Sequence, residues 1–122
     1  MRKSDVRAWI TAYERAWRTP GTRMLGDLFA PKASYLQGPY RTPVVGLPAI
    51  RRMWEAEREG PDEEFQMTSD LVAVDRDTAV ARVEVVYGRR PTDQHFRDLW
   101  IMKFDADGRC RSFEEWPIAP GS

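Results

Sequence analysis

The sequence has one cysteine, Cys110, and one histidine, His95, in 122 residues. A single cysteine cannot form an intrachain disulfide, and these two residues are too few for the usual cysteine- or histidine-based zinc sites. The formal net charge is +0, since 19 Lys and Arg balance 19 Asp and Glu. The chain therefore lacks the positive field that draws proteins to nucleic acid or to anionic membranes, and we expect neither partner.

The sequence also lacks any run approaching the ~18 consecutive apolar residues that a membrane-spanning helix needs. Its first four residues lead directly into an amphipathic pattern rather than a signal peptide, so we expect a reducing, cytoplasmic setting. There is no phosphate-binding loop, nucleophile elbow or dinucleotide fingerprint, and we expect a protein that uses no metal or cofactor. The length predicts one domain, 1–122.

Aromatic residues, in contrast, are abundant: five Trp, five Phe and four Tyr. So many rings in a small domain indicate a lined cavity or an interface in addition to a core. The hydrophobic fraction is 42% and the charged fraction 31%, which is typical of a globular chain.

Apolar spacing predicts three helices in the first half of the chain. The first spans about 6–17, with Ser4 as its N-cap, and a shorter one follows at 24–29. The third opens at 46–48, where Pro48 suits the first turn, and ends at Gly60-Pro61. The remainder is predicted as strands and loops: strands over 33–37, 65–74, 78–87, 94–104 and 109–118, with loops at 38–43 and 88–93.

Helices followed by a meander of strands predict an α+β fold with the helices on one face of the sheet. The later strands carry apolar residues at both even and odd positions, as in Leu99 and Ile101 beside Trp100 and Met102. An antiparallel sheet with one wet face alternates apolar and polar residues instead. We therefore expect a second copy of the chain to cover the outer face, giving a homodimer.

These patterns resemble the nuclear-transport-factor-2-like superfamily, which includes SnoaL-like polyketide cyclases, ketosteroid isomerases and limonene-type epoxide hydrolases. The resemblance covers nearly the whole chain and rests on Tyr13…Trp17, Leu28-Phe29-Ala30, Ala33-x-Tyr35, Gly46-x-x-Ala49-Ile50 and Phe113-x-Glu115-Trp116-Pro117. It implies three N-terminal helices on a curved, mixed or antiparallel sheet, closing a cone-shaped pocket for an apolar small molecule. The residues it places around the pocket are Tyr13, Trp17, Phe29, Trp54, Val86, Arg97, Leu99, Ile101 and Phe113.

The ketosteroid isomerases place an aspartate base just after the first strand, where this chain has Gln37-Gly38-Pro39 and no carboxylate. Cyclases of the SnoaL group use an Asp or His deep in the cone, and neither His95 nor Asp98 clearly matches that place. The limonene-type epoxide hydrolases resemble this sequence more closely: their tyrosine, amide, arginine and two carboxylates correspond here to Tyr35, Gln37, Arg82, Glu84 and Glu115. The resemblance implies acid/base opening of an epoxide without a cofactor.

Each of these residues also has a structural interpretation. Arg82, Glu84 and Glu115 are equally typical of a cross-strand ion-pair cluster. The pocket is compatible with a module that binds a hydrophobic ligand without converting it, and the apolar strand faces with an interaction scaffold. The sequence leaves all three functions open.

Overall fold

The structure is a computed structural model, and it describes residues 1–58, 64–88 and 94–121. Along the chain these residues form α1 (Lys3–Arg18), α2 (Leu25–Leu28), β1 (Phe29–Leu36), β2 (Val44–Val45), α3 (Leu47–Glu57), β3 (Phe65–Asp75), β4 (Thr78–Tyr87), β5 (His95–Phe104) and β6 (Cys110–Ile118).

The strands form one sheet in the order β2-β1-β6-β5-β4-β3. The β1–β6 pair is parallel and the other pairs are antiparallel, so the sheet is mixed. The predicted α+β fold, with helices from the N-terminal half packed on a curved, unclosed sheet, is confirmed. None of the helices in the described ranges is long and apolar enough to cross a membrane.

Helix α1 packs its apolar stripe, which includes Val6, Trp9 and Tyr13, against the sheet. The predicted cap is wrong by two residues, because the helix begins at Lys3 and Arg2 is the N-cap. The Asp5 carboxylate accepts a 3.0 Å hydrogen bond from the Arg2 backbone N–H, so the chain end is held from within the first turn.

The second helix is shorter than predicted, because the chain is already extended at Phe29. The motif Phe29-Ala30-Pro31 looks like a helix end, yet it starts β1. Pro31 lies where the β1–β6 pairing shifts register between Phe29 and Ser34. The regular hydrogen-bonding pattern of the two strands is interrupted there, so the lack of an N–H on Pro31 removes no hydrogen bond of that pattern.

The two-residue strand β2 was not predicted and pairs with β1 through Ser34↔Val45 and Tyr35↔Val44. Gly46 lies between β2 and α3 with φ +90, a conformation that favours glycine. Helix α3 ends at Glu57, and the predicted stop at Gly60-Pro61 lies outside the described residues. Most of the predicted 88–93 loop lies outside them as well.

The two faces of β4 and β5 differ sharply. Ala79, Ala81, Val83 and Val85 are buried on the inner face, under the helices, and register pairs Ala81 with Trp100 and Trp100 with Glu115. The alternate positions form the outer face, which we define by Arg82, Glu84, Arg97, Leu99, Ile101, Trp116 and Ile118. A side chain's place in this alternation therefore decides whether it reaches the interior.

Candidate functional site

An inner cavity of about 80 Å³ lies between the helices and the inner face of the sheet. This volume corresponds to two or three water molecules at about 30 Å³ each. Its walls combine aromatic rings, flexible methionines and three carboxylic acids: Tyr13, Trp17, Tyr35, Met53, Glu57, Phe65, Met67, Val85, Tyr87, Asp98, Trp100 and Glu115.

Three residues from different elements meet at the wall of this cavity. Tyr13 from α1 and Tyr35 from β1 are buried, and their hydroxyl oxygens are 2.6 Å apart in a hydrogen bond that either hydroxyl can donate. The Tyr35 hydroxyl also lies close enough to the Glu115 carboxyl to favour its ionised form. The two tyrosines thus form a short polar chain that ends at a carboxyl group.

Burial of Glu115 raises its pKa to about 8, because the charged form is poorly solvated there. Negative charge on Asp98 and on Glu57 raises this pKa further, and Tyr35 lowers it in part. Glu115 is therefore largely protonated at neutral pH and is available as a proton donor.

Asp98 lies on β5 two residues before Trp100 and points to the same inner face. Because Trp100 is paired with Glu115 on β6, Asp98 is a diagonal neighbour of Glu115. It is only 9% exposed, and burial raises its pKa to about 6. The nearby Trp100 indole lowers that pKa without meeting full hydrogen-bond geometry. At neutral pH Asp98 is mostly ionised, so the two carboxyl groups differ in protonation state.

The structure does not bring Arg82 and Glu84 to this site. Both lie on the outer face of β4: Arg82 is 2.9 Å from Asp70, with its side chain 69% exposed, while Glu84 is 3.2 Å from Arg97. This corrects the predicted trio, since of its members only Glu115 faces the cavity. Arg82 and Glu84 do take part in cross-strand ion pairs, but with Asp70 and Arg97 rather than with each other, and Glu115 is not part of a common cluster with them.

Four residues predicted to line the pocket lie on the outward side of their strands instead, because they alternate with inward residues: Val86, Arg97, Leu99 and Ile101. Three others are buried in the core around the cavity and do not form its wall: Phe29, Trp54 and Phe113. Gln37 lies just beyond β1, where its amide N–H donates to the Met53 sulfur at 3.5 Å. Tyr13, Trp17, Tyr35 and Glu115 do line the cavity.

Sequence reasoning missed two acidic residues of the wall, Asp98 and Glu57. The comparison with the SnoaL-type cyclases gave Asp98 no role, yet it faces the cavity, whereas the adjacent Arg97 pairs with Glu84 on the other face. A usable signal existed, because Asp98 is in phase with the buried Trp100 and Met102. Glu57 closes α3, and no sequence feature marks its position relative to the cavity.

The family model of the SnoaL-like domain matches residues 6–113 of the chain. The chain belongs to the SnoaL-like domain family. No curated protein matches the sequence. The SnoaL-like family resemblance expected from the sequence is therefore confirmed.

Several solved structures have the same fold as this chain. One is SalBIII, an epoxide hydrolase/cyclase-like enzyme with a role in pyran ring formation in the polyether salinomycin. It is 11% identical, with a TM-score of 0.75 over 97% of this chain and 95% of its own. An isomerase-type SnoaL-like protein from Agrobacterium tumefaciens is 15% identical, with a TM-score of 0.73 over 94% and 98% of the two chains. A polyketide cyclase-type protein from Sinorhizobium meliloti is 21% identical, with a TM-score of 0.67 over 94% and 99%. At these identities the likeness shows the fold alone.

Proposed function

We propose that this SnoaL-like domain is a cofactor-free acid/base enzyme that opens an epoxide on a small, largely apolar molecule, with water or an internal hydroxyl as nucleophile. The observation that supports it is the pair of diagonal carboxyl groups, Glu115 and Asp98, whose pKa values lie on opposite sides of neutrality inside an aromatic cavity. A protonated acid and an ionised base facing one small space are what such a reaction requires.

In this mechanism the Asp98 carboxylate takes the proton of the attacking water or hydroxyl group. The oxygen of that water or hydroxyl group bonds to the epoxide carbon at the same time. The carbon–oxygen bond breaks as Glu115 gives its proton to the leaving oxygen. Tyr35 donates a hydrogen bond to the new Glu115 carboxylate, and Tyr13 donates to Tyr35, which relays the stabilisation. One proton enters Asp98 and one leaves Glu115, so a transfer between them through water restores the starting state.

The cavity volume of about 80 Å³ limits what enters it. Sites for drug-sized ligands measure about 300–1,000 Å³, so only the reacting end of a substrate fits without rearrangement. Met53 and Met67 line the cavity, and their unbranched side chains can adapt to a larger group. The expected substrate therefore presents a compact epoxide and carries the rest of its structure toward solvent.

The test is turnover of a panel of small apolar epoxides, followed by mass spectrometry for a diol or cyclic ether. We expect Glu115→Gln and Asp98→Asn each to lower kcat/KM by about 100-fold or more, the usual contribution of a positioned acid or base. Glu84→Gln is the matched control, because it removes a carboxylate from the outer face and should leave turnover unchanged. Full activity in either cavity variant would refute the assignment.

The second candidate is a ligand-binding module without turnover. It is favoured by the aromatic wall, in which the buried indole N–H of Trp17 has no hydrogen-bond partner in the described part of the chain. It predicts that a ligand raises the melting temperature with no product formed, and that Trp17→Ala weakens this binding. Conversion of any stabilising epoxide would decide against it.

We also propose that a second copy of this chain covers the outer face. Leu99, Ile101 and Trp116 are partly exposed there, and Ile118 is 51% exposed. The flanking Arg82–Asp70 and Arg97–Glu84 pairs are suited to a self-complementary contact about a two-fold axis. Light scattering should give twice the chain mass for the wild type and the single mass for Ile101→Asp. A monomeric wild type at micromolar concentration would contradict the dimer.

A further inference from the structure

The wall of the inner cavity combines rings that are held in place with side chains that can move. The Tyr13 and Trp100 rings pack with their centroids 4.6 Å apart, and in a close-packed interior neither can turn without displacing the other. The two methionines of the wall, Met53 and Met67, are unbranched and adapt more easily. The space open to a ligand therefore depends mainly on where these two methionine side chains lie.

Met53 lies where the cavity meets solvent. It precedes Glu57 by one turn of α3, so both residues share one side of the helix. Met53 is partly exposed and Glu57 is exposed, whereas Tyr35 and Asp98 on the same wall are buried. A group that enters the cavity toward Asp98 and Glu115 must therefore pass Met53.

Gln37 distinguishes Met53 from the second methionine. Its amide N–H donates to the Met53 sulfur at 3.5 Å, a weak hydrogen bond because a thioether is a weak acceptor. Met67 is also partly exposed, but no hydrogen bond to its sulfur is found among the described residues. One movable side chain of the wall is thus held by a neighbour, and the other is not.

The backbone that follows Gln37 is itself constrained. Gly38 is buried with φ +150, and the Arg41 backbone N–H donates to its carbonyl at 3.1 Å. A Cβ at Gly38 would lie 3.4 Å from the Arg41 side chain, so this glycine lets the chain turn closely after β1. Gln37 therefore contacts Met53 from a defined turn.

We infer that Met53 determines the width of the group that the cavity admits, and that Gln37 is the positioning residue that holds Met53 in place. A wider ligand has to move the Met53 side chain and break the hydrogen bond from Gln37 as it enters. The inference rests on the proposed function, since it narrows the substrate of that same site to epoxides with little bulk beside the ring. It gives Gln37 a role different from that of the amide in the epoxide hydrolase resemblance, because Gln37 acts here through Met53.

The experiment compares two unreactive ethers with the same ring oxygen: tetrahydrofuran and its tetramethyl derivative, which has two methyl groups on each carbon beside the oxygen. Binding is followed at pH 7 by the NMR signal of the isotope-labelled ε-methyl group of Met67, because this residue lines the cavity and stays in every variant. We expect the wild type to bind tetrahydrofuran about tenfold more tightly than the derivative, the low end of the effect of surplus carbon in a closed pocket. Met53→Ala should tighten binding of the derivative about tenfold or more, so that the preference disappears or reverses.

Gln37→Leu tests the positioning role. It keeps a similar bulk but removes the donor, so the derivative should bind about threefold more tightly, as for loss of one weak hydrogen bond. The ε-methyl signal of Met53, measured without ligand, should move toward that of a freely rotating methionine. In a Met53→Leu background, which lacks the sulfur, Gln37→Leu should change neither affinity, whereas a purely structural effect of Gln37 would persist there.

Met24→Ala is the matched control, because Met24 is a partly buried methionine that packs on the core outside the cavity wall. It should leave both affinities unchanged. The inference is overturned by equal affinities for the two ethers in the wild type, or by an unchanged preference in Met53→Ala. It is also overturned by a Gln37→Leu effect that persists in the Met53→Leu background, or by binding of neither ether to any of these proteins.

Failure of this inference is separable from failure of the enzyme proposal, because ether binding needs no turnover. The expected ether preferences without conversion of any epoxide would remove the acid/base assignment alone. Turnover that depends on Glu115 but accepts wide and narrow epoxides equally, in the wild type and in Met53→Ala, would remove the inference alone.

Discussion

Replacing Glu115 with Gln should make the folded protein more stable at alkaline pH, although it removes a proposed catalytic group. Burial raises the pKa of Glu115 from its ordinary value of 4.5 to about 8. The folded chain therefore keeps a proton that the unfolded chain has released. This contribution to stability is fully present below pH 4.5 and is lost as the pH rises through about 8.

The loss amounts to about 1.4 kcal/mol per pH unit across this interval, or about 5 kcal/mol in all. That is a large part of the 5–15 kcal/mol that stabilises a typical domain. Glutamine cannot ionise, so the Glu115→Gln variant should escape this loss. We expect the two proteins to be similar near pH 5 and the variant to be more stable by several kcal/mol at pH 9.

Urea unfolding followed by tryptophan fluorescence at pH 5, 6, 7, 8 and 9 measures this difference. With a slope of about 1–3 kcal/mol per molar urea, the midpoints at pH 9 should differ by about 2 M. Glu114→Gln, the adjacent outward position, should follow the wild type at every pH. A stability difference between Glu115→Gln and the wild type that stays constant from pH 5 to pH 9 would refute the buried-acid description.

Two further predictions concern the reaction. The rate should depend on pH as a bell, rising as Asp98 ionises with a pKa of about 6 and falling as Glu115 ionises with a pKa of about 8; a kcat/KM profile flat from pH 5 to 9 would contradict the acid/base pair. Tyr35→Phe should lower kcat about tenfold and move the alkaline limb upward, because it removes a donor to the Glu115 carboxylate. Tyr13→Phe, one step further along the chain of hydroxyls, should have the smaller effect, and the reverse order of the two would show that the relay is wrongly assigned.

Helical spacing and strand alternation predicted most elements of this fold to within a few residues, because amphipathic patterns report burial directly. The exceptions have local causes. Strand β2 has two residues, too few to give a period, and it exists because its partner β1 holds it. Phe29 continues the apolar pattern of α2, but pairing with Cys110 of β6 draws it into the sheet, and sequence separation hides that contact.

The site was predicted less well than the fold, and the reason lies in strand phase. On β4 one alternate row is wholly apolar, whereas the other carries Arg82 and Glu84, so the alternation itself favours an outward position for both charged residues. Their correspondence to the epoxide hydrolase site pointed the other way, and it was wrong. In the structure the row of Ala79 and Ala81 faces inward. Their small side chains leave room for aromatic rings that pack between helix and sheet, such as those of Tyr13 and Trp100, whose centroids are 4.6 Å apart. Arg82 and Glu84 are then necessarily outside.

Once that phase is fixed, the register assigns the remaining residues without further choice. Ala81 faces Trp100 and Trp100 faces Glu115, so Glu115 must point inward, and Asp98, two residues before Trp100, must do the same. A carboxylate in phase with a row of buried aromatic and aliphatic residues is expensive to keep. The described residues include two carboxyl groups in such positions on neighbouring strands, Asp98 mostly ionised and Glu115 mostly protonated at neutral pH, and the described cavity wall around them contains no Lys, Arg or His. A fold selected only for stability would replace them, and their position is the physical reason for which we propose an acid/base role at this cavity.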